Sequence, residues 1–236
     1  LTKNINKYKH LFFDLDHTLW DFERNSRAVI KKLFAAHKLK DKLGIKDAEF
    51  IQTYERINHK LWSLYRNGRI TKESLRKKRF SATLATFGMQ DDILAANFDR
   101  DYLQLAPYQK NLMAGCLPML ENLEPNFELH IITNGFSEIQ AIKLRESGLA
   151  PFFKLLITSD QIKVHKPQAK IFVEALRLAG ANRSNSLMIG DNLLADVQGA
   201  RNAGIDQVFY NPLNVQHTQR TTFEINHLNQ LPGLLL

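Results

Sequence analysis

Apolar residues fall into two kinds of run along this chain. Residues 11–13, 127–133, 155–158, 186–189 and 207–210 are short and largely apolar without alternation, as expected of strands buried on both faces of a parallel sheet. Residues 20–106 carry apolar positions at helical spacing and no convincing strand. Val29, Leu33 and Ala36 form one stripe. A second helix is read from Asp47, taken as its N-cap, through Phe50, Tyr54, Ile57, Leu61 and Leu64 or Tyr65 to Gly68; a third runs from Thr71 to Gly88, and a fourth from Asp91 to about Pro107.

Beyond residue 107, strands alternate with helices at 117–123, 137–146, 167–179 and 194–203. Pro167 is read as the first residue of the third of these. The tail offers an edge strand at 221–225 and a short helix. This succession predicts an α/β fold, a doubly wound parallel sheet with right-handed crossovers, interrupted after its first strand by an inserted α-helical domain. The expected division is 1–19 with 107–236 for the α/β core and 20–106 for the helical insertion.

Composition narrows the function. The 236 residues suffice for a full core, and the formal net charge is +8. Residues 20–106 hold 18 Lys or Arg against 11 Asp or Glu, so the basic excess lies in the helical stretch. Such a surface would attract anionic substrates. The longest basic cluster, residues 76–79, sits in a helical pattern and reads as a solvated face, which argues against a nucleic-acid polymer as partner. Cys116 is the only cysteine, and no apolar stretch approaches the ~20 residues of a membrane span. The first nine residues are polar and basic, without the apolar core of a signal peptide, so a cytoplasmic protein with a frayed start is expected.

The chemistry lies where the apolar runs end. Residues 11–13 stop at Asp14 and Asp16, two carboxylates whose spacing can aim both to one side just past a strand end, where open α/β sheets bind ligands. They repel unless a cation or a shared proton intervenes. The next run ends in Thr133, Asn134 and Gly135; Lys166 stands just before a helix; residues 187–190 run into Asp191, with Asp196 five residues on. Each block alone has a plain structural reading, since strand ends and helix starts favour these residue types. His17 reads as a spacer, because a hard cation prefers oxygen.

Together and in this order, the four blocks resemble the signature of the haloacid dehalogenase superfamily, composed mostly of Mg²⁺-dependent phosphatases. The resemblance implies a Rossmann-like core with a helical cap inserted after the first motif. It implies Asp14 as the nucleophile that forms an aspartyl phosphate and Asp16 as general acid and base. Thr133 and Lys166, with backbone N–H groups near Leu15 and Asn134, would bind the phosphoryl oxygens. Mg²⁺ would be held by Asp14, Asp191 and the backbone carbonyl of Asp16, while Asp196 orients the metal shell or pairs with Lys166. His165 departs from the small residue usual before the Lys-Pro pair.

Several further segments, among them Leu61-Trp62 with Tyr65, Asn67-Gly68, Arg79-Phe80 and Thr133-Asn134-Gly135-Phe136, resemble the YjjG-type pyrimidine 5'-nucleotidases. The implied substrate is a nucleoside 5'-monophosphate. Trp20, Phe22 and Phe136 beside the motifs, and Trp62, Tyr65 and Arg69 in the helical stretch, are the candidates for contact with the base or sugar. Ordinary helix packing is the competing reading for Trp62 and Tyr65. Phosphatases of the same group acting on N-acylneuraminate 9-phosphate or phosphoglycolate stay open as alternatives, as does a non-catalytic switch phosphorylated on Asp14. Asp16 argues against a dehalogenase, which needs no acid there.

Overall fold

The computed structural model describes residues 7–236, so most of the expected frayed start lies outside the described residues. Six strands, β1 (His10–Phe13), β2 (Glu128–Thr133), β3 (Phe153–Thr158), β4 (Ser186–Gly190), β5 (Asp206–Tyr210) and β6 (Phe223–Ile225), form one sheet in the order β3-β2-β1-β4-β5-β6. Every pairing is parallel. The chain steps outward from β1 through β2 to β3, then returns to lay β4 on the other side of β1. That reversal opens a crevice outside the carboxyl ends of β1 and β4, the place such sheets reserve for ligands.

Alternation along the strands divides the core by face. Leu11, Phe13, Leu129, Ile131, Leu187 and Ile189 pack on one side with Met119, Leu120 and Leu123, whereas Phe12, Ile132 and Met188 pack on the other with Ile171, Phe172 and Ala175. At the amino end of β2, His130 is buried, and burial, with His10 and Lys154 nearby, pushes its imidazole down to about 4. The ring is therefore uncharged at neutral pH.

The helices are α1 (Phe22–Ala36), α2 (Leu39–Leu43), α3 (Asp47–Arg66), α4 (Lys72–Thr86), α5 (Asp92–Leu105), α6 (Cys116–Leu123), α7 (Ser137–Glu146), α8 (Ser159–Ile162), α9 (Ala169–Ala179), α10 (Gly199–Asn202) and α11 (Gln230–Leu235). Two compact units result, one of Leu1–Phe22 with Lys110–Leu236 and one of Glu23–Gln109. The division thus falls three residues later at each crossing than the boundaries read from the sequence. Trp20 belongs to the core of the α/β unit and Phe22 packs against it. The helical unit has its own core, with Phe50, Tyr54, Phe80, Phe98 and Tyr102 among its buried rings.

Several local expectations need correction. Asp47 is the first helical residue of α3 and Lys46 its N-cap, with the Asp47 carboxylate accepting from the N–H of Ala48. Thr71 and Asp91 do cap α4 and α5, accepting from Ser74 and Leu94. Pro167 is not inside α9: it follows a cis Lys166–Pro167 peptide, Gln168 is the N-cap, and the helix begins at Ala169. The short α2 was not expected; left-handed Lys38 and Gly44 bracket it. Among the described residues, no helix is long and apolar enough to cross a membrane.

Candidate active site

Asp14 leaves the end of β1, and its N–H donates to the carbonyl of Ile189 on β4, which fixes the start of the loop that follows β1. Lys166 is 1 % exposed, and its ammonium lies 2.8 Å from Asp14 Oδ1. It also donates to Asp196 Oδ1 at 2.6 Å and to the carbonyl of Ile132 at 2.8 Å. Its three hydrogens are thereby engaged. Burial works against its charge, yet Asp14 and Asp196 together raise Lys166 above the ordinary lysine range. Asn134 secures the lysine's backbone from both sides, accepting from its N–H and donating to its carbonyl.

Asp191, just past β4, accepts from the Thr18 hydroxyl at 2.9 Å, and its own N–H donates back to the same oxygen. Asp196 is held by Lys166 on one oxygen and by the N–H of Asn192 on the other. A wide π-helical turn over Leu193–Gln198 carries it, marked by the bond from Val197 N–H to the carbonyl of Asn192; a plain α-helix was expected there. Gly190 gives Asp196 its room, since a Cβ at that position would lie 2.3 Å from Asp196 Oδ2.

Ligand oxygens of Asp14, Asp191 and Asp196 lie within 4.8 Å of one another. Burial pushes Asp14 up to about 6, with Asp196 adding to the effect and Lys166 opposing it. Asp191 rises to about 6 through burial and repulsion from Asp14. Three carboxylates, Asp196 buried and the other two half-buried, against one ammonium leave an excess of negative charge. All-oxygen donors of this kind fit a hard divalent cation such as Mg²⁺. Asp196 has both oxygens committed, so Asp14 and Asp191 are the better-placed ligands. The Asp16 carboxylate is outside this cluster.

Asp16 instead meets α7. Gln140 donates to its Oδ2 at 2.9 Å and Lys143 to its Oδ1 at 2.5 Å. The same Gln140 amide nitrogen lies 2.8 Å from the Thr133 hydroxyl, which also accepts from the N–H of Gly135. With those two bonds accepted, the Thr133 O–H remains a donor. Leu15 is fully buried in the core, so its backbone is what it can offer a ligand.

Gln140, Lys143 and Thr18 were missed in the sequence. The available signal was a glutamine and a lysine three apart on the face of α7 that packs inward, where a purely structural helix would place apolar residues. Gly135 is the counterpart on the loop: a Cβ there would lie 2.2 Å from Gln140 Nε2. Gly135→Ala is therefore expected to push Gln140 off both Thr133 and Asp16 and to destabilise the fold by about 1–3 kcal/mol. Urea unfolding checks the cost, and an unchanged midpoint would show that Gln140 has slack.

The aromatic candidates fare differently. Trp20 was expected as a wall against a base or sugar, but it is 1 % exposed and its ring lies 4.2 Å from the Lys143 ammonium. It is a core residue that stacks under that cation. Phe136 is also buried, at the N-cap of α7. Phe22 is partly exposed, against the rings of His17 and Trp20. Trp62 and Tyr65 pack edge to face on α3 in the helical unit, with Trp62 half-buried and Arg69 exposed after the helix.

Residues 8–204 match the family described as haloacid dehalogenase-like hydrolase. The chain belongs to that family. This hydrolase is 35 % identical over 223 residues to the pyrimidine 5'-nucleotidase PynA of Streptococcus pneumoniae, covering 92 % of this chain and 91 % of PynA. It is 32 % identical to the pyrimidine 5'-nucleotidase YjjG of Escherichia coli over 97 % of this chain and 98 % of YjjG. Among solved structures, the magnesium-bound crystal structure of YfnB from Bacillus subtilis matches with a TM-score of 0.87 and 31 % identity, over 97 % of this chain and 98 % of that one.

Proposed function

We propose that this hydrolase removes phosphate from a nucleoside 5'-monophosphate through an aspartyl-phosphate intermediate on Asp14, with Mg²⁺ held by Asp14 and Asp191. The single observation that carries the chemistry is the contrast between two carboxylates two positions apart. Asp14 is turned into the cluster with Lys166 and Asp191, and Asp16 is turned out of it onto Gln140 and Lys143. One is suited to attack, the other to proton transfer.

In the first half of the reaction, an Asp14 oxygen bonds to phosphorus while the bond from phosphorus to the ester oxygen breaks, and Asp16 delivers a proton to the departing alkoxide. In the second half, Asp16 takes a proton from water as the water oxygen attacks phosphorus. The bond from phosphorus to Asp14 then breaks, which frees phosphate and restores the carboxylate. When bound, Mg²⁺ supplies the positive charge that lets a carboxylate approach a phosphate dianion. The Thr133 hydroxyl and the backbone N–H groups near Leu15 and Asn134 donate to phosphoryl oxygens. Lys166 first steadies Asp14, and it reaches a phosphoryl oxygen by exchanging one of its three present bonds.

The substrate class is supported by the names and near-complete coverage of PynA and YjjG. In the helical unit of Glu23–Gln109, Trp62, Tyr65 and Arg69 are the candidate contacts for the leaving group. Phe22 is the one aromatic beside the motifs that keeps exposure for such a role.

A colorimetric assay of phosphate release over UMP, dTMP, AMP, sugar phosphates, N-acylneuraminate 9-phosphate and phosphoglycolate tests this reading. Pyrimidine monophosphates should give the highest kcat/KM; preference for phosphoglycolate or a sugar phosphate would overturn the nucleotide assignment. EDTA should abolish release and Mg²⁺ in excess should restore it. Activity that persists in EDTA would remove the metal from the proposal.

A further inference from the structure

A second group of ligand-type side chains lies at the opposite end of the sheet. His10 on β1 pairs in register with Glu128 on β2, and His130 follows two residues later on the same face. Four residues of strand separate His10 from Asp14, so the group stands about 13 Å along β1 from the catalytic carboxylates. Ligand atoms of His10, Glu128 and His130 all lie within 4.8 Å of one another.

The distances fit a metal better than a hydrogen bond. His10 Nδ1 is 3.3 Å from His130 Nε2, and Glu128 Oε2 is 3.7 Å from the same His10 nitrogen. A ring-to-ring hydrogen bond of that length would be weak. Two nitrogens each about 2.0–2.1 Å from a tetrahedral zinc ion stand about 3.3–3.4 Å apart, which matches the observed separation. His130 Nδ1 is buried with no partner among the described residues, so an ion on Nε2 would leave the Nδ1 proton without an acceptor there, a cost that the bond to the metal must exceed. The Glu128 side chain is 57 % exposed, which leaves it free to close the remaining gap and gives the ion a route from solvent.

We propose that His10, Glu128 and His130 form a binding site for a late first-row divalent ion of the zinc class, with water in the fourth position. Two imidazoles and one carboxylate select such an ion over Mg²⁺, whose preference is for oxygen alone. The site bridges the amino ends of β1 and β2, so occupancy stabilises the strand pair that carries Asp14 and Thr133 at its other end. It is independent of the phosphatase reading.

The test uses the full chain, stripped with EDTA and desalted, in an Asp14→Asn/Asp191→Asn background that disables the catalytic cluster. Zinc chloride titrated by calorimetry should bind at one equivalent and raise the melting temperature. Glu128→Gln should weaken binding by at least about tenfold, and His130→Gln should abolish it with the circular dichroism spectrum retained. Cobalt(II) in place of zinc should give the intense visible absorption of a four-coordinate site. Because Glu128 is exposed, its variant keeps the test decisive even if His130→Gln fails to fold. Absence of zinc binding, an affinity indifferent to Glu128→Gln, or a weak six-coordinate cobalt spectrum would each overturn the proposal.

Discussion

Asp14→Asn should lower phosphate release by about six orders of magnitude, the scale of loss when the attacking serine of a hydrolase is removed. The amide keeps the side chain's shape but cannot attack phosphorus to give a stable acyl phosphate. It also takes one of three clustered negative charges from a pocket with a single ammonium. The melting temperature of the metal-free protein should therefore hold or rise. Loss of activity with a retained melt separates a chemical role from a structural one, whereas turnover near that of the unaltered protein would remove Asp14 as nucleophile. Asp16→Asn makes the contrast. It leaves Lys166 and Asp191 untouched and should slow both half-reactions while magnesium affinity stays within a few-fold.

The largest loss of stability is expected from Lys166→Met. Methionine fills much of the volume of the lysine stem, so the change isolates the charge. Removing it leaves Asp14 and Asp196 beside each other without their counter-charge and takes one donor from the carbonyl of Ile132. Breaking a buried ion pair from one side costs about 3–5 kcal/mol. Denaturant unfolding of the metal-free protein measures it, and adding Asp196→Asn to Lys166→Met should recover part of the loss through the coupling between the two. A cost below about 1 kcal/mol would mean that the lysine is not the counter-charge of this pocket. Phosphate release should fall steeply as well, because the variant lacks the group that steadies the nucleophile.

Much of this site was legible because the chain changes character abruptly at strand ends. A buried strand cannot tolerate Asp14 or Asp191, so each marks where the backbone leaves the sheet, while Thr133 is the last residue of β2, and parallel topology gathers these ends at one edge. What was not legible depended on which way a side chain turns after the exit. Asp14 and Asp16 share a spacing that permits one common direction, yet Lys166 draws the first inward and Lys143 with Gln140 draws the second aside. Trp20 looked like a ligand-facing aromatic because it follows the motif; the cation above its ring shows that it is packing instead. The division between units slipped by three residues for the same reason, since the anchoring of Trp20 and Phe22 is tertiary and leaves no local pattern.

The π-helical turn after β4 bears on what can vary in this chain. In an α-helix each residue advances about 100° around the axis, and a π turn accommodates one residue more before the helix resumes at Gly199. Deleting an outward residue such as Leu194 would let the segment rewind as an ordinary helix and swing Asp196 roughly a quarter-turn away from the lysine it faces. The five-residue interval between Asp191 and Asp196 is thus an angular setting, and natural variation should change exposed positions such as Leu194 while keeping its length and the capping Asn192.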